Sequence, residues 1–194
     1  MNHLAHIYLS GDDDDIIVGN YIADFVKGKK IYDYSSGVQK GIVLHRAIDS
    51  YTDSHPLVKN SVSRVRNSLG KFAGIAVDVY YDHFLAIHWS DYHKENLEDY
   101  AQDIYALLQA RYPELPQYAQ RFFQFMIQHN ILVNYGRKDA LRNVFYGLSQ
   151  RTRFPSQLAN SVDYLNENYE GLYEDFKAFF QDLIQFSEER RLEL

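Results

Sequence analysis

Two carboxylates and an imidazole interrupt an otherwise apolar stretch, VDVYYDHFLAIHW, at residues 77–89. If this stretch is a helix, Asp78 and Asp82 lie about one turn apart on the same face, and His83 lies beside them. A buried carboxylate is unfavourable unless it is paired, hydrogen-bonded or bound to a cation, and two neighbouring carboxylates raise each other's pKa. The stretch therefore indicates a site where negative charge must be compensated.

The same combination of side chains occurs upstream, in GIVLHRAIDSYTDSHP at residues 41–56. His45, Asp49 and Asp53 are separated by four residues each, so they share one face of a helix. That face is otherwise apolar, and the opposite face is polar. A second helix is thus expected to direct an imidazole and carboxylates towards the interior.

Asp24 in GNYIADFVKG and His6 in NHLAHIYL are two further polar side chains within apolar segments. Taken singly, each of these residues is more often a hydrogen-bonded core residue than a ligand. Their concentration, on apolar faces that carry almost no Lys or Arg, favours one or two bound divalent cations. Mixed imidazole and carboxylate ligation suits Mn, Fe, Mg or Zn.

The elements that must position these residues are predicted to be helices. The four prolines lie between periodic segments, and no convincing alternating strand pattern is present. Acidic residues precede the second predicted helix, Ser35 or Ser36 can cap the third, and Pro56 suits the first turn of the fourth. We predict one compact all-α domain over residues 1–194, with about eight or nine helices. Their approximate ranges are 3–10, 16–28, 36–53, 56–70, 71–90, 93–111, 116–134, 137–150 and 160–190.

The composition excludes several classes of protein. The chain has 194 residues, no Cys and a formal net charge of −6, so disulfide staples, thiolate metal sites and general nucleic-acid binding are not expected. No apolar run reaches the length of a membrane span, and the N-terminal residues lack the pattern of a signal peptide. We therefore expect a soluble cytoplasmic protein whose oligomeric state the sequence leaves open.

Four segments in this order resemble the acyl carrier protein phosphodiesterase family: NHLAH, GNYIADFVKG, GIVLHRAIDSYTDSHP and AGIAVDVYYDHFLAIHW. The resemblance implies an enzyme that cleaves the phosphodiester between 4′-phosphopantetheine and the serine of holo acyl carrier protein. It also implies a preference for manganese and a fold distantly similar to HD-type metal phosphohydrolases. In those enzymes the adjacent pair is His-Asp, whereas here it is reversed, as Asp82-His83.

The resemblance also suggests roles for the polar residues. The metal ligands would be chiefly His45, Asp82 and His83, and Asp24 and His6 would be further ligands. Four residues are expected to take part in catalysis as ligands, orienting groups or the base: Asp49, Asp78, Asp82 and His83.

A local positive patch is needed because acyl carrier proteins are strongly acidic and this chain is acidic too. The first candidates form a run without an acid among them: Lys59, Arg64, Arg66 and Lys71. Two other functions remain open at this point. The metal site could act on a nucleotide or another small phosphoester, or the buried acids could be structural in a helical interaction protein.

Overall fold

The computed structural model describes all residues, 1–194, and consists of helices without a β-strand. Eleven α-helices follow one another along the chain. They are α1 (His3–Tyr8), α2 (Asp14–Ile22), α3 (Ser36–Ser54), α4 (Pro56–Leu69), α5 (Ala73–Ile87), α6 (Leu97–Ala110), α7 (Gln117–Gln128), α8 (Ile131–Asn134), α9 (Lys138–Arg151), α10 (Ser161–Glu167) and α11 (Tyr169–Glu193). The all-α prediction is confirmed; the likeness to HD-type enzymes stays a prediction.

The predicted helix starts follow the expected capping chemistry. Asp13 accepts hydrogen bonds from two backbone N–H groups at the start of α2, and Ser35 accepts one from Val38 at the start of α3. Pro56 occupies the first turn of α4, and Gly70, with a φ of 55°, directly follows its last residue. These signals depend on single residues at defined positions, so the helix ends they mark can be predicted from the sequence.

Two of the nine predicted helices are each divided in two, which accounts for the eleven observed. The predicted helix 116–134 breaks where Asn130 adopts a left-handed conformation with a φ of 42°. The predicted helix 160–190 breaks at Asn168 between α10 and α11. Neither break contains Gly or Pro; at Asn130 the left-handed conformation is one that Asn tolerates better than most side chains, whereas Asn168 has a φ of −115°.

Close packing of α2 against α3 brings together the segments that carry the candidate residues. A Cβ atom added to Gly19 would lie 2.1 Å from the carbonyl oxygen of Val38, and one added to Gly41 would lie 2.2 Å from that of Ile16. Neither position has room for a side chain, so the two backbones approach as closely as glycine permits. This approach sets the distance between Asn20 on α2 and His45 on α3.

Helix α5 lies within the core, and α1 packs on it. Eleven of the fifteen residues of α5 are buried, and all of these except Asp82 and His83 belong to one continuous cluster of 51 buried apolar residues. Helix α1 packs against both α5 and α2. None of the helices has the length and apolar character required to cross a membrane.

Candidate metal centre

Three side chains from two helices meet at one point near the surface. His6 comes from α1, and His45 and Asp49 come from successive turns of α3. One potential ligand atom from each residue lies within 4.8 Å of the others. We refer to His6, His45 and Asp49 as the triad.

The carboxylate of Asp49 lies between the two imidazoles. His6 Nε2 lies 3.1 Å from one Asp49 oxygen, and His45 Nε2 lies 3.2 Å from the other. The two rings stack with their centroids 4.0 Å apart. Asp24, in the short 3₁₀ turn Ala23–Phe25 after α2, places an oxygen 3.4 Å from His45 Nε2. Two carboxylates and two imidazoles therefore share a small volume.

Buried Asn20 fixes the orientation of His45. Its Nδ2 donates hydrogen bonds to the carbonyl oxygen of His6 and to Ser10 Oγ, both at 2.9 Å. Its Oδ1 must then face His45 Nδ1, which lies 2.9 Å away and donates to it. In the neutral imidazole, Nε2 consequently carries a lone pair directed at Asp24 and Asp49. This is the arrangement by which proteins orient a metal-ligating histidine.

The ionisation of the triad is uneven. Burial opposes a charge on His45, but hydrogen bonds with Asp24 and Asp49 outweigh this effect and raise its pKa to about 9. Burial, together with the neighbouring charge of His45, lowers the pKa of His6 to about 4. Burial works against ionisation of Asp49 as well, but its bonds with the two imidazoles hold its pKa well below the usual value. Without a metal, His45 is cationic between two carboxylates while His6 is neutral.

Asp82 occupies a different environment from the triad. It accepts hydrogen bonds from the backbone N–H groups of Leu4 at 2.7 Å, Asn2 at 3.2 Å and Ala5 at 3.4 Å, and so caps the start of α1. Burial raises its pKa to about 7, although these bonds favour the charged form. The Asp82 carboxylate therefore holds in place the helix that carries His6.

His83 and Asp78 also make contacts outside the triad. His83 Nδ1 donates to the carbonyl oxygen of Tyr135 at 2.8 Å, and its Nε2 is buried without a partner. Asp78 accepts a hydrogen bond at 2.9 Å from the amino group of Met1, close to the start of α1. Of the predicted site residues, the structure thus brings together His6, Asp24, His45 and Asp49, but not Asp78, Asp82 and His83.

Of the four residues of the predicted positive patch, one forms an ion pair within the chain and three do not. Lys59 and Arg66 are exposed and form no ion pair, whereas Arg64 Nε donates to the buried carboxylate of Asp175 at 2.9 Å. Lys71 lies over the exposed ring of Phe154, with Nζ 3.6 Å from its centroid. Arg64 therefore stabilises the contact between α4 and α11, and the other three remain available to a partner.

Sequence reasoning did not identify Asn20. The available signal was an amide within an otherwise apolar helix, four residues before Asp24. A buried amide needs partners for both its oxygen and its nitrogen, so its position alone indicated a polar network.

A family model described as "Acyl carrier protein phosphodiesterase" matches residues 1–183. The chain belongs to this family. Among its curated relatives, a protein of Klebsiella pneumoniae is 32% identical over 196 residues, which covers 99% of this chain and 100% of the relative. Relatives from Serratia proteamaculans and Yersinia pestis are 29% and 28% identical over 193 residues, again covering 99% of this chain and 100% of each relative. All three carry the name "Acyl carrier protein phosphodiesterase". No solved structure matches the chain.

Proposed function

We propose that this chain is a metal-dependent phosphodiesterase that removes 4′-phosphopantetheine from the serine of holo acyl carrier protein. The observation that carries the proposal is the triad with its neighbours: Asn20 directs the Nε2 lone pair of His45 towards Asp49 of the triad and towards Asp24. Membership of the family whose members bear this name supports the choice of substrate.

The residues of the centre suit a divalent cation. His6, His45 and Asp49 would hold it, and Asp24 lies next to them with an oxygen 3.4 Å from His45 Nε2. The set mixes imidazole nitrogens with carboxylate oxygens and contains no thiolate, which fits manganese, the metal that the family resemblance implies. When bound, such an ion would polarise the phosphodiester and make a water molecule more acidic.

The residues of the chain have separable tasks in this reaction. Asp49 contacts both imidazoles and keeps them parallel, so we assign it to orientation and ligation rather than to proton transfer. Asp24 has 64% of its side chain exposed and is the carboxylate that an incoming substrate meets first. We assign to Asp24 the acceptance of a proton from the attacking water. Asp82 and Asp78 act indirectly, because they hold the start of α1.

Charge distribution supports an acidic protein as the partner. Residues 54–77 and 140–162 contain seven Lys or Arg and no Asp or Glu, although the whole chain has a net charge of −6. The contact between Lys71 and Phe154 joins these two segments in space. The exposed members that form no ion pair are Lys59, Arg66, Lys71, Arg151 and Arg153. A surface of this kind attracts an acidic carrier despite the repulsion between the net charges.

Mass spectrometry of the carrier tests the proposal. Holo carrier incubated with the protein and manganese should lose the mass of phosphopantetheine, and a chelator should prevent the loss. His45→Gln should abolish turnover, whereas the control His88→Gln, on a ring stacked on Tyr173 outside the centre, should retain it. An unchanged carrier mass with folded protein and several divalent metals would contradict the proposal; hydrolysis of nucleotides under those conditions would point to a small phosphoester instead.

A further inference from the structure

A groove lies between α7, α8 and α9, beside the proposed metal centre. It consists of two adjoining cavities with volumes of about 140 and 370 Å³. The larger volume is within the range of small-molecule sites. The residues that line both cavities are Phe125, Ile131, Asn143, Val144, Gly147 and Arg151.

The groove begins at the Asp24 side of the centre. Asn2 and His3 line the smaller cavity, and the His3 ring packs against Phe122 with 4.5 Å between centroids. The ring of Phe25, the residue after Asp24, lies 6.4 Å from the same Phe122. His3 thus lies at the end of the groove near Phe25, and the larger cavity extends to the exposed ring of Tyr146.

The walls of the groove combine apolar surface with unused amide groups. Phe125 is 44% exposed, so a large apolar surface is left open to solvent. Asn143 is exposed and makes no hydrogen bond within the chain, and the side-chain nitrogen of Asn2 has no partner either. An elongated ligand with amide groups between apolar segments would complement this lining.

We propose that the groove binds the pantetheine arm of the substrate, an inference that rests on the proposed function. The arm carries two secondary amides and a pair of methyl groups, which match the asparagines and the apolar walls. Its phosphate end would lie near Asp24, and its thiol end would point towards Tyr146. Arg151 lies at the rim without an ion pair and belongs to the acid-free segment 140–162, so the groove continues into the surface assigned to the acidic carrier.

Gly147 allows the groove to be filled without disturbing the fold. A Cβ atom at this position has no neighbour within 4 Å, so a larger side chain enters open space. Gly147→Trp should occupy the groove, while the matched control Gly147→Ala adds a Cβ and leaves most of the space free. Free pantetheine, which lacks the phosphate that the metal centre would attract, is titrated against each protein by NMR. We expect the dissociation constant to rise about tenfold or more for Gly147→Trp and to stay within about twofold for Gly147→Ala.

Turnover of holo carrier separates this inference from the proposed function. If wild type releases phosphopantetheine and Gly147→Trp does so much more slowly, both stand. If Gly147→Trp is as fast as wild type, or if wild type binds no pantetheine, the groove proposal is overturned. If wild type binds pantetheine and Gly147→Trp does not, but neither acts on the carrier, the groove stands as an arm-binding site and the proposed function fails. Asn143→Leu provides a second test if Gly147→Trp fails to fold. Asn143 is exposed and has no hydrogen-bond partner in the chain, so its replacement should not disturb the fold. The variant should bind pantetheine several-fold more weakly, and unchanged binding would overturn the proposal.

Discussion

Replacement of Asn20 by alanine should weaken metal binding through the loss of an orienting contact. The Asn20 side chain makes three hydrogen bonds, to His45 Nδ1, to the carbonyl oxygen of His6 and to Ser10 Oγ, each at 2.9 Å. Asn20→Ala removes all three and leaves their partners buried. The His45 ring then has nothing to fix its tautomer or its rotation.

Two magnitudes follow from this geometry. A buried hydrogen bond contributes about 1 kcal/mol net, so the loss of three should lower the free energy of unfolding by about 3 kcal/mol. Domains of this kind have total stabilities of about 5–15 kcal/mol, so the variant should still fold. The loss of a contact that orients a metal-ligating histidine typically reduces metal affinity about 10–100-fold, and we expect a decrease of that size for manganese.

The measurements are urea denaturation in the presence of chelator and manganese titration followed by electron paramagnetic resonance. Ser10→Ala is the matched control, because it removes one partner of Asn20 Nδ2 and the bond from Ser10 Oγ to the His6 carbonyl, but leaves the contact to His45. It should lose about 1–2 kcal/mol of stability and keep its manganese affinity. Asn20→Asp retains an acceptor for His45 Nδ1 and should also bind manganese well, although it is destabilised where its second oxygen faces the His6 carbonyl.

The reasoning would be refuted if Asn20→Ala lost stability as expected but bound manganese as tightly as wild type. Such a result would mean that the His45 orientation does not govern the site. A decrease in affinity of equal size in Ser10→Ala would also contradict it, because general loosening of α1 and α2 would then explain both.

Three further predictions concern charges. Asp82→Asn should lose about 1–3 kcal/mol of stability in chelator but keep its stabilisation by manganese, because an amide cannot accept from all the N–H groups at the start of α1; loss of the manganese effect with unchanged metal-free stability would instead identify Asp82 as a ligand. In the metal-free protein the pKa of His45 in the folded state is raised from 6.5 to about 9. Protonated His45 therefore adds roughly 3 kcal/mol to the free energy of unfolding below pH 6.5, and this contribution disappears as the pH rises through 9. Denaturation at a series of pH values should show this decline, and His45→Gln should lack it. Arg66→Glu and Lys71→Glu should slow carrier turnover and weaken its dependence on salt. Arg64→Glu should instead lower the melting temperature, because it leaves the buried carboxylate of Asp175 unpaired. Equal effects of all three variants on stability would contradict the assignment of Arg64 to the fold and of the other two to the partner surface.

The fold was largely predictable because its signals are local. Caps such as Ser35 and the proline of α4 act within one turn of the chain, so their effect is visible in the sequence. The break at Asn130 was not predictable, because a left-handed asparagine is selected by the packing of α7 and α8 rather than by a residue that requires it. Local propensity determines where the capped helices begin, whereas tertiary contacts determine the break at Asn130.

The candidate site was predictable only in part, for a similar reason. His45 and Asp49 are four residues apart on one helix, so their proximity follows from helical geometry alone. The approach of His6 to Asp49 spans 43 residues and depends on how α1 packs against α2 and α5. Periodicity shows that each of these side chains faces inward but not which of them meet.

Asp82 shows where the charge argument was incomplete. A cation was expected there because the apolar faces carry almost no Lys or Arg side chains, but backbone N–H groups can also stabilise a carboxylate. The first turn of a helix has N–H groups without intrahelical partners, and those of Leu4 and Ala5 in α1, together with that of the preceding Asn2, donate to Asp82. A carboxylate in that position is stabilised by hydrogen bonds and by the positive end of the helix. The Asp82 carboxylate therefore has hydrogen-bond partners without a metal, although burial still raises its pKa to about 7. Asp82 acts on the centre through α1, which it holds where His6 can reach Asp49.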